Sequence, residues 1–218
     1  MIDPFLLLII IPIVLFSLTV HEYSHAYAAL ILGDKTAKDM GRLTLNPLKH
    51  LDLLGTLAII LIGFGWAKPV PVIIQNLKKG RKSLYIVALA GPVSNFIIAL
   101  IFAIIFHILG FEDTGLRTLQ SNEIFIDLGK FIILMIYLNI GLGIFNLMPI
   151  PPLDGGNIIY SLLPDKVADK FNLIINKYIF ILIIGVIFLT RTFPYVLLTP
   201  INFFLDLLIP NAILYLNG

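Results

Sequence analysis

Two histidines and a glutamate near the start of the chain have the spacing used by metal-dependent hydrolases. The segment His21–His25 has the sequence HEYSH and matches the pattern H-E-x-x-H. On a helix, this spacing places two imidazoles one turn apart on one face, with the glutamate beside them to act on a water molecule. A catalytic zinc ion keeps three protein ligands and one open position. The segment therefore predicts two zinc ligands, His21 and His25, and a general acid/base, Glu22.

The sequence around this motif is apolar enough to lie in a lipid bilayer. The stretch from Pro4 to Val20 contains no charged residue, and the apolar run continues beyond the motif to Leu32. Ionisable side chains at membrane depth are costly and are usually retained for function. The location of the motif thus predicts a zinc hydrolase that works within the membrane.

The composition supports an integral membrane protein. The 218 residues are 59% hydrophobic and 13% charged, and the mean hydropathy is +1.00, whereas soluble domains carry about 25% charged residues. The absence of cysteine excludes disulfides and Cys₄ zinc sites, and a net charge of +2 gives no indication of nucleic-acid binding. The first twenty residues lack the basic region and cleavage site of a secretory signal, so they are expected to form a retained first span.

The apolar segments predict an all-α membrane protein, a polytopic bundle of about four to six transmembrane helices. We expect one domain over residues 1–218, with a catalytic core at about 4–160 and C-terminal helices at 171–216. A span needs about 20 residues, and four segments qualify: Pro4–Leu32, Leu84–Leu109, Phe131–Met148 and Phe171–Leu189.

Two further apolar segments are less regular. Tyr195–Leu216 is interrupted by two prolines and Asp206, which predicts a broken or interfacial helix. Leu53–Phe64 has only twelve residues, two of them glycine, and is expected to be a short re-entrant or β-like segment.

The basic residues predict the orientation of the bundle. If Leu53–Phe64 does not cross the membrane, the basic residues on the outer side are only Arg117, Lys130 and Arg191. Eleven basic residues then lie on the side where the first span ends. A crossing segment would divide the basic residues almost evenly. By the positive-inside rule, we expect a multi-pass protein of the cell membrane with the motif toward the cytoplasm.

The third zinc ligand must come from elsewhere in the chain. Asp154 is the best acidic candidate, because the prolines and glycines around it predict an irregular backbone that could turn its carboxylate inward. As an isolated residue it is equally compatible with a helix cap or a turn. His50, with Asp52 nearby, fits a residue pair that supports the site or an ordinary turn. His107 lies near the outer end of its helix and is expected to be structural.

Two amides are candidates for stabilising the transition state. Asn95 and Asn146 lie in otherwise apolar helices, where an amide donor can stabilise an oxyanion. The alternative is hydrogen bonding between helices, which their spacing favours.

Taken together, five segments resemble the site-2 protease family of intramembrane zinc metalloproteases. They occur in the family's order: His21–His25, Asn46–Asp52, Gly65–Pro71, Ala90–Asn95 and Asn146–Gly156. The resemblance implies that His21, His25 and Asp154 bind one zinc ion and that Glu22 is the catalytic acid/base. It also implies that Asn95 and Asn146 contact the substrate or its oxyanion.

The resemblance further implies the kind of substrate. Members of this family cleave transmembrane segments of other proteins, often membrane-tethered transcription regulators or anti-sigma factors, in regulated intramembrane proteolysis. The connection Gly110–Lys130 is too short for the PDZ domain of some relatives, and the chain leaves no room for a CBS domain, so a compact form is expected. The alternatives are a metal-ion transporter and a noncatalytic zinc-binding scaffold. Glu22 favours the enzyme over both.

Overall fold

The structure is a computed structural model that describes residues 4–52, 55, 67–111, 123–210 and 212. The α-helices of this part are named in chain order. They are α1 (Pro4–Ile31), α2 (Thr36–Asp39), α3 (Leu84–Ile108), α4 (Glu123–Leu147), α5 (Asp154–Leu162), α6 (Asp165–Thr192) and α7 (Tyr195–Leu208).

Four of these helical segments are long and apolar enough to cross a bilayer. They are Leu8–Ile31, Gly80–Ile108, Asp127–Leu147 and Asp165–Thr192. The predicted all-α polytopic bundle is therefore confirmed. The third span begins earlier than predicted, because α4 starts at Glu123 and its membrane-spanning part starts at Asp127 rather than at Phe131.

The last apolar stretch forms a helix that is too short to span. α7 continues through Pro200 and ends at Leu208. At 1.5 Å per residue its 14 residues reach about 21 Å, less than the roughly 30 Å of a hydrocarbon core.

The described part of the connection between α1 and α3 contains α2 and three 3₁₀ turns, Pro47–Lys49, Ile74–Asn76 and Gly80–Ser83. The predicted re-entrant segment Leu53–Phe64 lies outside the described residues, apart from Gly55. Leu51 and Ala67, which flank it, form an antiparallel bridge.

α3 is the central helix and packs against α1, α4 and α5, while α7 packs on α4. Small buried residues of α3, Ala99 and Ala103, permit a close approach of α4, as is common between helices in membranes. α6 differs from the other spans, since only 6% of the residues in its most apolar stretch are buried. Exposed apolar side chains on such a helix are those expected to face lipid.

Candidate metal centre

The two motif histidines lie on one face of α1 and point into the bundle. Both are buried, and their Nε2 atoms are 3.0 Å apart. They precede the end of α1 by ten and six residues. At 1.5 Å per residue this places them about 9–15 Å from that end of the helix.

Asp154 is the first residue of α5 and reaches both histidines. Its Oδ2 lies 3.1 Å from His21 Nε2, and its Oδ1 lies 3.3 Å from His25 Nε2. The candidate ligand atoms of the three residues all lie within 4.8 Å of one another. Asp154, which follows His25 by 129 positions in the sequence, thus lies next to both histidines, between α1 and α5.

Two glycines allow Asp154 to reach this position. A Cβ on Gly155 would lie 2.3 Å from the carbonyl oxygen of Met148, and one on Gly156 would lie 2.6 Å from the nitrogen of Pro151. Real Cβ atoms do not approach other atoms this closely. The first turn of α5 can therefore fold back on the end of α4 only with glycine at both positions.

The ring of His25 is oriented by α3. Its Nδ1 lies 2.7 Å from the carbonyl oxygen of Val87. A carbonyl only accepts hydrogen bonds, so Nδ1 carries a proton and, in the neutral imidazole, Nε2 has the lone pair. The lone pair of His25 therefore points toward Asp154 and His21.

His21 is oriented by a chain of buried amides that joins α1, α3 and α4. Asn139 Nδ2 lies 2.9 Å from the carbonyl oxygen of Met135 and 2.9 Å from the hydroxyl of Ser17. Asn139 Oδ1 then accepts from Asn95 Nδ2 at 3.0 Å, and Asn95 Oδ1 accepts from His21 Nδ1 at 2.6 Å. Because the Met135 carbonyl fixes the direction of every amide in this chain, His21 also carries a proton on Nδ1, and its neutral imidazole has the lone pair on Nε2.

With both imidazoles neutral, the three described side chains present acceptors without a donor. Two imidazole lone pairs face a carboxylate, and Asp154 Oδ2 is buried with no hydrogen-bond partner among the described residues. Buried acceptors in such an arrangement need a cation or a proton between them. The geometry and chemistry of the site thus suit a divalent metal ion with nitrogen and oxygen ligands.

Gly91 of α3 leaves the space in which such an ion would lie. A Cβ at this position would be 2.4 Å from His25 Nε2 and 2.5 Å from His21 Nε2. Any other residue would place its side chain between the two ligand nitrogens.

Glu22 is largely buried beside the histidines. Its Oε2 accepts a hydrogen bond of 2.8 Å from the backbone nitrogen of Val70. This contact fixes one oxygen of the Glu22 carboxylate.

The other candidates from the sequence have different surroundings. Asn95 is fully buried and contacts His21 and Asn139, while Asn146 Nδ2 donates to Leu142 in its own helix. His50 is buried and contacts Thr44, and His107 contacts the carbonyl of Leu208.

Sequence reasoning missed two members of the amide chain, Asn139 and Ser17. Asn139 meets the same criterion that selected Asn95, an amide within an apolar span, and that signal would have identified it. The backbone groups of Val87 and Val70 have no sequence signal at all.

Comparison with known proteins identifies the family. The profile described as "Peptidase family M50" matches residues 114–186. A Bacillus subtilis (strain 168) protein, "Putative zinc metalloprotease YwhC", is 44% identical over 186 residues, which cover 85% of this chain and 82% of that protein. The chain belongs to peptidase family M50.

A second relative and the solved structures complete the comparison. The protein "Putative zinc metalloprotease Rip2" of Mycolicibacterium smegmatis (strain ATCC 700084 / mc(2)155) is 34% identical over 146 residues, 65% of this chain and 52% of that protein. No solved structure gives a significant match. The resemblance to site-2 proteases is confirmed, and the protein is a multi-pass membrane zinc metalloprotease.

The zinc ion that the family implies fits the residues present. Two histidine nitrogens with lone pairs, one carboxylate without a hydrogen-bond partner and the space left by Gly91 meet at one point. The outer nitrogen of each imidazole is hydrogen-bonded, an arrangement that histidines ligating a metal almost always show.

Proposed function

We propose that this metalloprotease hydrolyses peptide bonds within transmembrane segments of other membrane proteins. The depth of the site is the observation that supports the proposal most strongly. The histidines lie about 9–15 Å from the end of a span, well inside a hydrocarbon core of roughly 30 Å. A substrate bond must reach that depth, and a transmembrane segment already lies there. The proposed unit is a single membrane domain over residues 1–218, with its catalytic core at about 4–160.

In this proposal His21, His25 and Asp154 hold one zinc ion. When bound, zinc polarises a carbonyl and makes a water molecule more acidic. Glu22 Oε1 takes a proton from the attacking water and delivers it to the amine nitrogen as the C–N bond breaks. The contact with Val70 keeps the Glu22 carboxylate in place during both transfers.

The two amides have separate roles in this proposal. Asn95 positions the His21 ring rather than contacting the substrate, since its hydrogen bonds go to His21 and Asn139. Asn146 remains the candidate for a substrate contact, because its only described hydrogen bond is to its own helix and it is only half-buried.

We place the active site toward the cytoplasm of the cell membrane. The basic residues between α1 and α3 and those at the start of α6 support this orientation under the positive-inside rule. The bridge between Leu51 and Ala67 also supports this orientation, because the pairing places these two residues at the same depth relative to the membrane. In this proposal the connection from α1 to α3 begins and ends on one side of the bilayer.

A metal transporter is less consistent with these side chains. A transport path needs successive metal stations, whereas the described residues contain one group of three possible ligands, His21, His25 and Asp154. The presence of Glu22 beside that group favours hydrolysis over a purely structural site.

The test reconstitutes the purified enzyme in liposomes together with each member of a library of single-span substrate proteins. Each member carries a 20-residue apolar segment with an Asn-Gly pair at a different depth, since a helical peptide bond is shielded and must unwind before attack. Mass spectrometry of the fragments locates the cut. We expect cleavage inside the apolar segment, in the half nearer the basic side. If the enzyme cleaves labelled casein but none of the apolar segments, the proposed intramembrane substrate is refuted. The identification as a metalloprotease would still hold.

A further inference from the structure

A buried arginine lies in the connection between α1 and α3, away from the metal centre. Arg42 is only 7% exposed, and its Nε has no hydrogen-bond partner among the described residues. No carboxylate of the described residues forms an ion pair with it. Burying an unpaired charge costs several kcal/mol, so the position of this side chain calls for a function.

Arg42 and His50 together hold the backbone of Lys68. An Arg42 terminal nitrogen donates to the Lys68 carbonyl at 2.6 Å, and the His50 carbonyl accepts from the Lys68 nitrogen at 2.8 Å. His50 Nε2 donates to the carbonyl of Thr44 at 2.8 Å, which leaves its Nδ1 to accept from Arg42 at 3.5 Å. Both polar groups of the Lys68 backbone are therefore fixed, one by each residue.

The segment after Lys68 transmits this position to Glu22. Its sequence is Lys68-Pro69-Val70-Pro71. Proline fixes φ near −65°, and a residue before proline is restricted to extended conformations. The three residues from Lys68 to Val70 therefore have little conformational freedom. Val70 then donates its backbone N–H to Glu22 Oε2 at 2.8 Å.

We propose that Arg42 is a positioning residue that holds the general acid/base in place through Lys68 and Val70. This proposal rests on the role proposed for Glu22. It gives a function to two of the segments that carry the family resemblance, Asn46–Asp52 and Gly65–Pro71, neither of which supplies a metal ligand.

The proposal separates catalysis from metal binding and substrate binding. None of the hydrogen bonds of His21, His25 or Asp154 involves Arg42, His50 or Lys68. Loss of the Arg42 side chain should therefore leave zinc bound. A misplacement of about 1 Å at a reacting group can reduce the rate about 10²-fold. We expect a fall in kcat of that size with little change in KM.

The test compares Arg42→Met with Arg42→Lys, using the fastest-cleaved library member as substrate. Arg42→Met should lose about 10²-fold in kcat while retaining one zinc per chain and an unchanged KM. Arg42→Lys should recover part of the loss, because an ammonium group can still donate to the Lys68 carbonyl. A wild-type kcat in Arg42→Met would refute the proposal. Loss of zinc together with activity would also refute it, by showing a general structural role.

A second pair of variants tests the last link directly and does not depend on the folding of the arginine variants. Val70→Pro removes the donating N–H together with the valine side chain, in a segment already flanked by prolines, whereas Val70→Ala removes the side chain and keeps the N–H. We expect Val70→Pro to match Arg42→Met and Val70→Ala to stay near wild type. Equal activity of the two variants would refute the proposal. Full cleavage by Glu22→Gln would instead refute the proposed function itself.

Discussion

Replacing Gly91 by alanine tests the metal centre through a single methyl group. The added Cβ would lie 2.4 Å from His25 Nε2 and 2.5 Å from His21 Nε2, and ordinary contacts begin at 3.4 Å. The two rings would have to move by about 1 Å, whereas zinc sites tolerate about 0.2 Å in ligand distance. Loss of one partner that orients a ligand already costs 10–100-fold in affinity. We therefore expect Gly91→Ala to weaken zinc binding by about 100-fold or more.

The same substitution should have a small effect on the metal-free fold. Alanine is favoured over glycine in a helix interior by about 0.5–1 kcal/mol. Weakening of the bonds to Asn95 and Val87 offsets this gain by about 0.5–1.5 kcal/mol for each bond. The net change in free energy of unfolding should stay within about 2.5 kcal/mol. A specific loss of zinc without unfolding is thus the expected signature.

The assay measures zinc per chain across a series of buffered free-zinc concentrations, together with thermal unfolding of the metal-free protein. The matched control is Gly185→Ala in α6, where an added Cβ has nothing within 4 Å. The control should bind zinc as the wild type does. Wild-type zinc affinity in Gly91→Ala would contradict the placement of the ion between the two imidazoles.

Three other changes test separate parts of the account. Asp154→Asn removes the only carboxylate of the candidate ligand group and should lower zinc content; full occupancy would contradict its assignment as a ligand. Asn139→Leu should reduce zinc affinity about 10–100-fold by releasing Asn95, whereas Asn146→Leu should not, and equal affinities would exclude the amide chain as a support for His21. Asp34 is fully buried, and although burial raises its pKa, hydrogen bonds from Thr36, Ile73 and Asn76 outweigh that effect, so its pKa is lowered. The ionised Asp34 carboxylate should stabilise the fold fully above its unfolded-state pKa of about 3.9. This stabilisation should be lost as the pH falls through its lower folded-state pKa. The difference in thermal stability between wild type and Asp34→Asn should accordingly shrink below about pH 4, and a constant difference would count against the carboxylate bonds.

The sequence predicted the spans because lipid-facing helices need long apolar runs, and four such runs occur. It also predicted which side chains would meet, since few ionisable residues lie at membrane depth. His21 and His25 could be selected for that reason, whereas Asp154 was equally compatible with a cap or a turn and was selected by the family resemblance.

The orientation of the ligands could not be predicted. It depends on the carbonyl of Val87 and on the direction of each amide from Asn139 to His21, which only the packing of α1, α3 and α4 determines. The same holds for Glu22, whose partner is a backbone N–H of a distant segment. Backbone donors and acceptors have no residue type, and therefore leave no pattern in a sequence.

The requirement for glycine at three positions became clear only from the structure. Gly91, Gly155 and Gly156 each face an atom that a Cβ would meet at 2.6 Å or less. In the sequence they resemble ordinary helix-breaking residues. Their role is to let α3 and the end of α4 approach the site closely.

The central claim is that a zinc ion held by His21, His25 and Asp154 works with Glu22 as the acid/base. The most direct test measures zinc per chain and span cleavage in the same preparations of wild type and Glu22→Gln. The glutamine keeps the size of the side chain and its acceptor for Val70 but removes the proton-transfer group. The account predicts one zinc per chain in both proteins and a loss of cleavage by about 10²–10⁴-fold in the variant. Cleavage at the wild-type rate by Glu22→Gln would contradict it.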